Sequence, residues 1–146
     1  MDESFDVLAI GQQCRKILEK RCEKLNTAYG VRLVEMDILY FLSRAGIRDT
    51  AKDIMAEMHI SKAHISKSVE NLRKRGFLTV EEDILDHRCF HLCITEKAKP
   101  LLAAFAAERK RFWDMLFLDV TKEEKEVIIR TMGKILANLD REYEGM

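Results

Sequence analysis

The stretch Ile60-Ser61-Lys62-Ala63-His64-Ile65-Ser66-Lys67-Ser68-Val69-Glu70-Asn71-Leu72-Arg73-Lys74-Arg75-Gly76-Phe77-Leu78 decides the reading of this chain. Ser61 is a favourable helix N-cap, because its hydroxyl can accept from an orphan backbone N–H of the first turn. Ile65, Val69 and Leu72 recur at i, i+4 and i+7, which predicts one buried face. Arg73-Lys74-Arg75 fall in the last turn, where cations complement the helix dipole, and Gly76 stands where a left-handed stop is expected. After Gly76 the apolar period changes from 3.6 to 2. Leu78 and Val80 alternate, and so do Phe90, Leu92 and Ile94, across the mostly polar segment 81–88. That pattern predicts a β-hairpin with one buried face.

Upstream, Thr50 caps a short helix over 51–58, with Asp53 where a capping carboxylate belongs and Ile54, Met55 and Met58 as its apolar stripe. A helix over 33–44 carries Val34, Ile38, Phe41 and Leu42 and stops before Gly46. Residues 4–26 read as one helix, with Phe5, Leu8, Cys14, Ile17, Leu18, Cys22 and Leu25 mostly three or four apart, ended by Tyr29-Gly30. Downstream, Thr95 is placed as the cap of a helix over 96–116, in which Pro100 predicts a local bend. Thr121 and Glu124 form a second capping box, opening a helix to about residue 143. Its apolar face is Ile128, Met132, Ile135, Leu136, Leu139 and Tyr143.

The 146 residues suit one domain with its own core, mainly helical with a small hairpin. No run approaches the ~20 apolar residues of a membrane span, and the start Met1-Asp2-Glu3-Ser4 does not read as a signal peptide, so a cytoplasmic protein is expected. Four cysteines without a CxxC pair fit a reducing compartment. Cys14 and Cys22 are too far apart on one helix to bridge, about 12 Å at ~1.5 Å per residue. Net charge is zero, which argues against a nonspecific, histone-like binder of nucleic acid. Residues 61–76 nevertheless hold Lys62, Lys67, Arg73, Lys74 and Arg75 against Glu70 alone, a local +4. A sequence-specific binder needs no more than such a local surface.

Two short helices around a tight turn, the second basic, followed by a two-stranded ribbon, make a winged helix-turn-helix. A helix fits the major groove of double-stranded DNA and reaches base edges with its N-terminal residues. Here the exposed N-terminal positions are Ser61, Lys62, Ala63, His64, Ser66 and Lys67, whose hydroxyls and ammonium groups can donate to phosphates or bases and whose one methyl can touch thymine.

At these residues the chain resembles the MarR (multiple antibiotic resistance regulator) family, over nearly its whole length. Ile54-Met55-Ala56-Glu57-Met58 is similar to the family's short helix before the turn, and Ile60 to Lys67 to its recognition-helix opening I-S-x-x-T-V-S-R. Leu72-Arg73-Lys74-Arg75-Gly76-Phe77-Leu78 resembles the junction L-x-x-R-G-L-I/V. Asp86-His87-Arg88 resembles the wing-tip D-x-R, and Leu92-Cys93-Ile94-Thr95-Glu96-Lys97 the returning strand and helix start. The resemblance implies that Arg88 enters the minor groove, held by Asp86 as wing support. It implies a DNA-binding lobe over 32–95, dimerisation helices over 1–30 and 96–146, and a pseudo-palindromic operator with half-sites about 34–36 Å apart.

The chain departs from the family pattern at several points. His87 stands where another arginine is frequent, and Ile84 where proline is common. Glu81, Glu82, Asp83 and Asp86 against Arg88 give the segment 81–88 a local −3, which weakens the wing as a DNA contact. His59 replaces the turn glycine, and histidine tolerates positive φ better than most residues. Ala98 stands in for a glycine, which improves helix propensity.

The remaining reactive groups each admit more than one chemistry. Cys89, His91 and Cys93 share the outward face of a strand and could meet zinc or copper(I), or simply be three exposed side chains. Cys14, near Arg15 and Lys16, could be a peroxide-sensing thiol as in one branch of the family, or a small core residue. Phe112, Trp113, Met115, Leu116 and Phe117 could line an effector pocket or pack as core. No P-loop, GxSxG or HExxH pattern occurs, so neither an enzyme nor a resident cofactor or metal is expected. The expected function is a homodimeric repressor released from its operator by a small-molecule or stress signal. The alternatives are a winged-helix protein-interaction module without DNA binding and a redox- or metal-responsive regulator using its cysteines.

Overall fold

The computed structural model describes residues 6–146. They form two compact units, with the boundary between Arg109 and Lys110. The first contains α1 (Val7–Arg21), α2 (Glu23–Tyr29), α3 (Leu33–Arg44), α4 (Ala51–Met58), α5 (Lys62–Lys74), β1 (Leu78–Glu82), β2 (Phe90–Ile94) and a 3₁₀ turn (Glu96–Ala98). α6 (Lys99–Leu116) begins in this unit, and α7 (Lys122–Glu144) belongs to the second.

The helix termini lie where the capping residues put them. Thr50 and Asp53 close a reciprocal box at the start of α4, and Ser61 Oγ accepts from the His64 N–H at the start of α5. Gly30, Gly46 and Gly76 are all left-handed, as stops after α2, α3 and α5. The core of the first unit gathers Val31, Met36, Ile38, Leu39, Ile54, Ile65, Leu72, Leu101 and Phe105, each no more than 1 % exposed. Burying one such aliphatic side chain stabilises the fold by about 1.5–3 kcal/mol. The ribbon pairs Leu78 with Ile94 and Glu82 with Phe90, antiparallel.

Several expectations change. The predicted helix over 4–26 is two helices that continue to Tyr29, broken at Cys22 and started by Asp6 as N-cap; Ser4 and Phe5 lie outside the described residues. In α5 the buried partner of Ile65 and Leu72 is Ser68, with Val69 only half-buried. The buried face of the hairpin fades toward its tip, where Phe90 is exposed while Leu78 and Leu92 are covered. Thr95 does not cap a helix with its side chain. Its Oγ1 donates to Gly76 O at 2.6 Å, and a 3₁₀ turn follows. α6 therefore starts at Lys99, which places Pro100 in the first turn, where its missing N–H leaves no helical bond unmade.

The second unit has its own local devices. Trp113 and Phe117 stack with ring centroids 5.5 Å apart, and Lys125 Nζ stands 4.8 Å over the Phe117 ring. Asp119 turns the chain with φ 61°, and the Thr121–Glu124 box opens α7. Ile128, Met132, Leu136, Leu139 and Tyr143 form an apolar stripe along α7 that is 38–59 % exposed in the single chain.

Candidate nucleic-acid interface

α4 and α5 are joined by Met58-His59-Ile60-Ser61, with His59 in the left-handed region at φ 52°. The tight turn survives without glycine, as the sequence led us to expect. Ile65 and Ser68 are each 1 % exposed and fix the inner face of α5. Ser61, Lys62, Ala63, His64, Ser66 and Lys67 all stand in solvent on the remaining surface. Six expected contact residues thus share one accessible helix start.

The basic end of α5 is engaged differently. Arg75 Nε donates to Asn71 Oδ1 at 3.2 Å, and its guanidinium occupies the space a Cβ on Gly30 would need. Asn71 Nδ2 donates to Glu35 Oε2 at 2.5 Å and to Gly30 O at 3.3 Å. Glu35 is 1 % exposed, and its other oxygen accepts from Arg32 N–H. This network ties the start of α3 to the recognition helix. Sequence reading missed it; the one local trace is an acid at the third position of α3, where a carboxylate accepts from the N-cap backbone.

In the wing, Asp83 Oδ2 accepts from Leu85 N–H and Asp86 N–H, both at 2.9 Å. Asp86 Oδ1 accepts from Arg88 N–H at 3.0 Å and lies 3.5 Å from Arg88 Nε. The Arg88 side chain is 94 % exposed. His87 Nδ1 is 2.5 Å from Glu82 Oε1, and His91 lies between Asp49 and Asp83. Asp83 thus faces the His91 ring, and Asp86 the Arg88 guanidinium.

Cys89, His91 and Cys93 do not share an idle outward face. Both His91 ring nitrogens face carboxylates, at 2.6 Å and 2.7 Å. No group of three His, Cys, Asp or Glu among the described residues is arranged to hold a metal ion. Partial burial and nearby carboxylates push the Cys89 and Cys93 thiols up, away from thiolate character. All four cysteines are free; Cys14 is half-buried and Cys22 buried.

A cavity of ≈ 580 Å³ lies within the first unit, lined by residues that include Tyr40, Phe41, Arg44, Arg48, Glu57 and Arg109. None of the aromatic residues 112–117 lines it. Arg109 stacks over the Tyr40 ring at 4.3 Å, and Arg44 donates to Tyr40 Oη at 3.1 Å. Burial alone would raise the Tyr40 phenol, but these two guanidiniums outweigh it and hold the phenol below its ordinary value.

A buried scaffold that presents a solvated basic helix start beside a two-stranded ribbon defines a winged helix-turn-helix, DNA-binding transcriptional regulator. Residues 29–88, from the end of α2 to just before β2, match the model of the MarR family. The chain is 25 % identical over 133 residues to the transcriptional repressor MprA of Escherichia coli (strain K12), covering 90 % of this chain and 75 % of that protein. The fold matches a MarR protein from Peptoclostridium difficile with TM-score 0.82 at 19 % identity, covering 97 % and 94 % of the two chains. It also matches the S. aureus MepR–DNA complex with TM-score 0.79 at 16 % identity, covering 94 % and 99 %. Over residues 29–88 the chain is thus similar to the MarR family, and its fold is that of solved MarR proteins.

Proposed function

We propose that the chain acts in the cytoplasm as a homodimeric repressor, with one α5 in the major groove of each half of a pseudo-palindromic operator. The carrying observation is the start of α5, where six polar or small residues are exposed above a buried Ile65 and Ser68. Lys62 and Lys67 neutralise phosphates, while Ser61, His64, Ser66 and the Ala63 methyl meet base edges or sugar–phosphate oxygens. Arg88 enters the minor groove from the wing, steadied by Asp86. The repressor MprA, similar in sequence, and the DNA-bound MepR, similar in fold, support this reading.

A second copy of the chain covers the apolar stripe of α7, with the segments 1–30 and 96–146 as dimerisation elements around a DNA-binding lobe over 32–95. A small-molecule effector enters the arginine-lined cavity beside Tyr40 and shifts the population toward a helix spacing that no longer fits the grooves. The relatives are regulators rather than enzymes, and this chain is read likewise.

The test is selection of bound sequences from random DNA by the purified protein, followed by affinity measurement across salt. A palindromic consensus with half-site centres about one helical turn apart and a steep linear salt dependence are expected. Failure to enrich any sequence, or binding indifferent to salt, would overturn the reading.

A further inference from the structure

His91 is the second residue of β2, directly opposite Glu81 in the ladder. Its Nδ1 lies 2.6 Å from Asp49 Oδ1, in the loop before α4, and its Nε2 lies 2.7 Å from Asp83 Oδ1, at the end of β1. Ionised carboxylates only accept hydrogen bonds, so a ring facing one on each side must donate from both nitrogens, which makes it an imidazolium. Around these contacts the backbone is tied as well. Leu92 N–H donates to Asp49 O at 2.9 Å, and Asp83 N–H donates to Cys89 O at 2.9 Å.

We propose that His91 is the positioning residue of the wing, clamping the ribbon to the loop before α4 and fixing through Asp83 where Arg88 meets DNA. The inference rests on the reading that Arg88 contacts DNA. The path is short and continuous. Asp49 is the residue before Thr50, the cap of α4, so it moves with the helix-turn-helix. On the other side of the ring, Asp83 Oδ2 holds Leu85 N–H and Asp86 N–H, and Asp86 in turn holds the Arg88 backbone. Loss of one ring proton would replace a donor by a lone pair aimed at a carboxylate, turning one of the two ties from attraction to repulsion.

The surroundings favour the charged ring. The hydrogen bonds the ring donates to Asp49 and then to Asp83 outweigh partial desolvation and push the His91 pKa up to about 9. Glu81 is the ladder partner of His91, Cys89 and Cys93 stand two residues to either side of it, and Asp53 and Asp86 add negative potential near Cys89.

The experiment uses the full chain and the operator obtained by random selection. Nuclear magnetic resonance follows the His91 ring across pH and the exchange of the Leu85 and Asp86 amides. Operator affinity is measured for Arg88→Ala, His91→Gln and the double variant. We expect the ring to stay protonated at pH 8 and the two amides to exchange faster in His91→Gln. Binding should weaken roughly fivefold in His91→Gln and tenfold in Arg88→Ala, and the double variant should be no weaker than Arg88→Ala. Additive losses overturn the positioning role while leaving Arg88 a DNA contact. No loss in Arg88→Ala overturns that contact, and this role with it. A ring that titrates near 6.5, or unchanged amide exchange, overturns the clamp itself. Should His91→Gln fail to fold, Asp49→Asn removes one of the two charges and takes its place in the same cycle.

Discussion

Ser61 serves the fold and the interface with different atoms. Its Oγ accepts the His64 N–H, and its own proton stays available to a phosphate or base. Lys62 and Lys67 have no structural duty of this kind in the proposed interface, so their effect is electrostatic. Lys62→Ala and Lys67→Ala should each flatten the slope of log affinity against log salt by about 0.9 without narrowing sequence preference. An unchanged slope would remove that lysine from the phosphate contacts. Cys22 is the opposite case of a side chain withdrawn from chemistry. Burial first, then Glu108 and Asp37, push its thiol up to about 11. It should be the last of the four cysteines alkylated by iodoacetamide at pH 8, as mapped by mass spectrometry. For His91 the folded pKa lies above its ordinary value, so its stabilising contribution is complete below pH ~6.5 and is lost as pH rises toward about 9. The urea midpoint of the unmodified chain should therefore fall over that window more than that of His91→Gln.

Among the elements, α3 and α5 are joined by a polar strut rather than by apolar packing alone. Asn71→Ala would leave the buried Glu35 carboxylate short of a donor and should destabilise the chain by about 1–3 kcal/mol in urea denaturation. Thr50→Ala, which opens the box at the start of α4, should cost about 1 kcal/mol in the same measurement. These two cases also separate what the sequence reveals from what it hides. The Thr50–Asp53, Ser61 and Thr121–Glu124 caps and the Gly30 and Gly76 stops were legible, because donor and acceptor lie within three residues or the backbone angle dictates the residue. The Glu35–Asn71 bond joins residues 36 apart, and His91–Asp49 joins residues 42 apart, with no spacing rule to announce either. Thr95 misled for a related reason. Its hydroxyl chose the carbonyl of Gly76, brought close by the ribbon, over the helix that follows it. Phe90 kept the alternation of a buried strand yet sits where nothing covers the hairpin tip.

For the whole molecule, the exposed apolar stripe of α7 is a surface that a lone chain would be expected to cover. Leu136→Glu with Leu139→Glu should yield a monomer in sedimentation, and operator affinity should fall roughly 100-fold or more as the two half-sites cease to be bound together. A dimeric double variant would refute the proposed interface. The candidate DNA contacts at the start of α5 were readable from sequence because they are contiguous, whereas the cavity beside Tyr40 draws on residues from 37 to 109 and had no linear trace.

The engagement of Arg75 with Asn71 and of Arg88 with Asp86 bears on how such a molecule finds its target. Affinity for random DNA grows with the number of phosphates neutralised. A chain of zero net charge, with two of its arginines engaged by its own fold, is expected to hold arbitrary sequence weakly. Each encounter with the chromosome is then brief, sliding runs are short, and relocation proceeds largely by release and recapture. Fewer copies are sequestered on competing sites, so a modest cellular pool is enough to keep one operator filled.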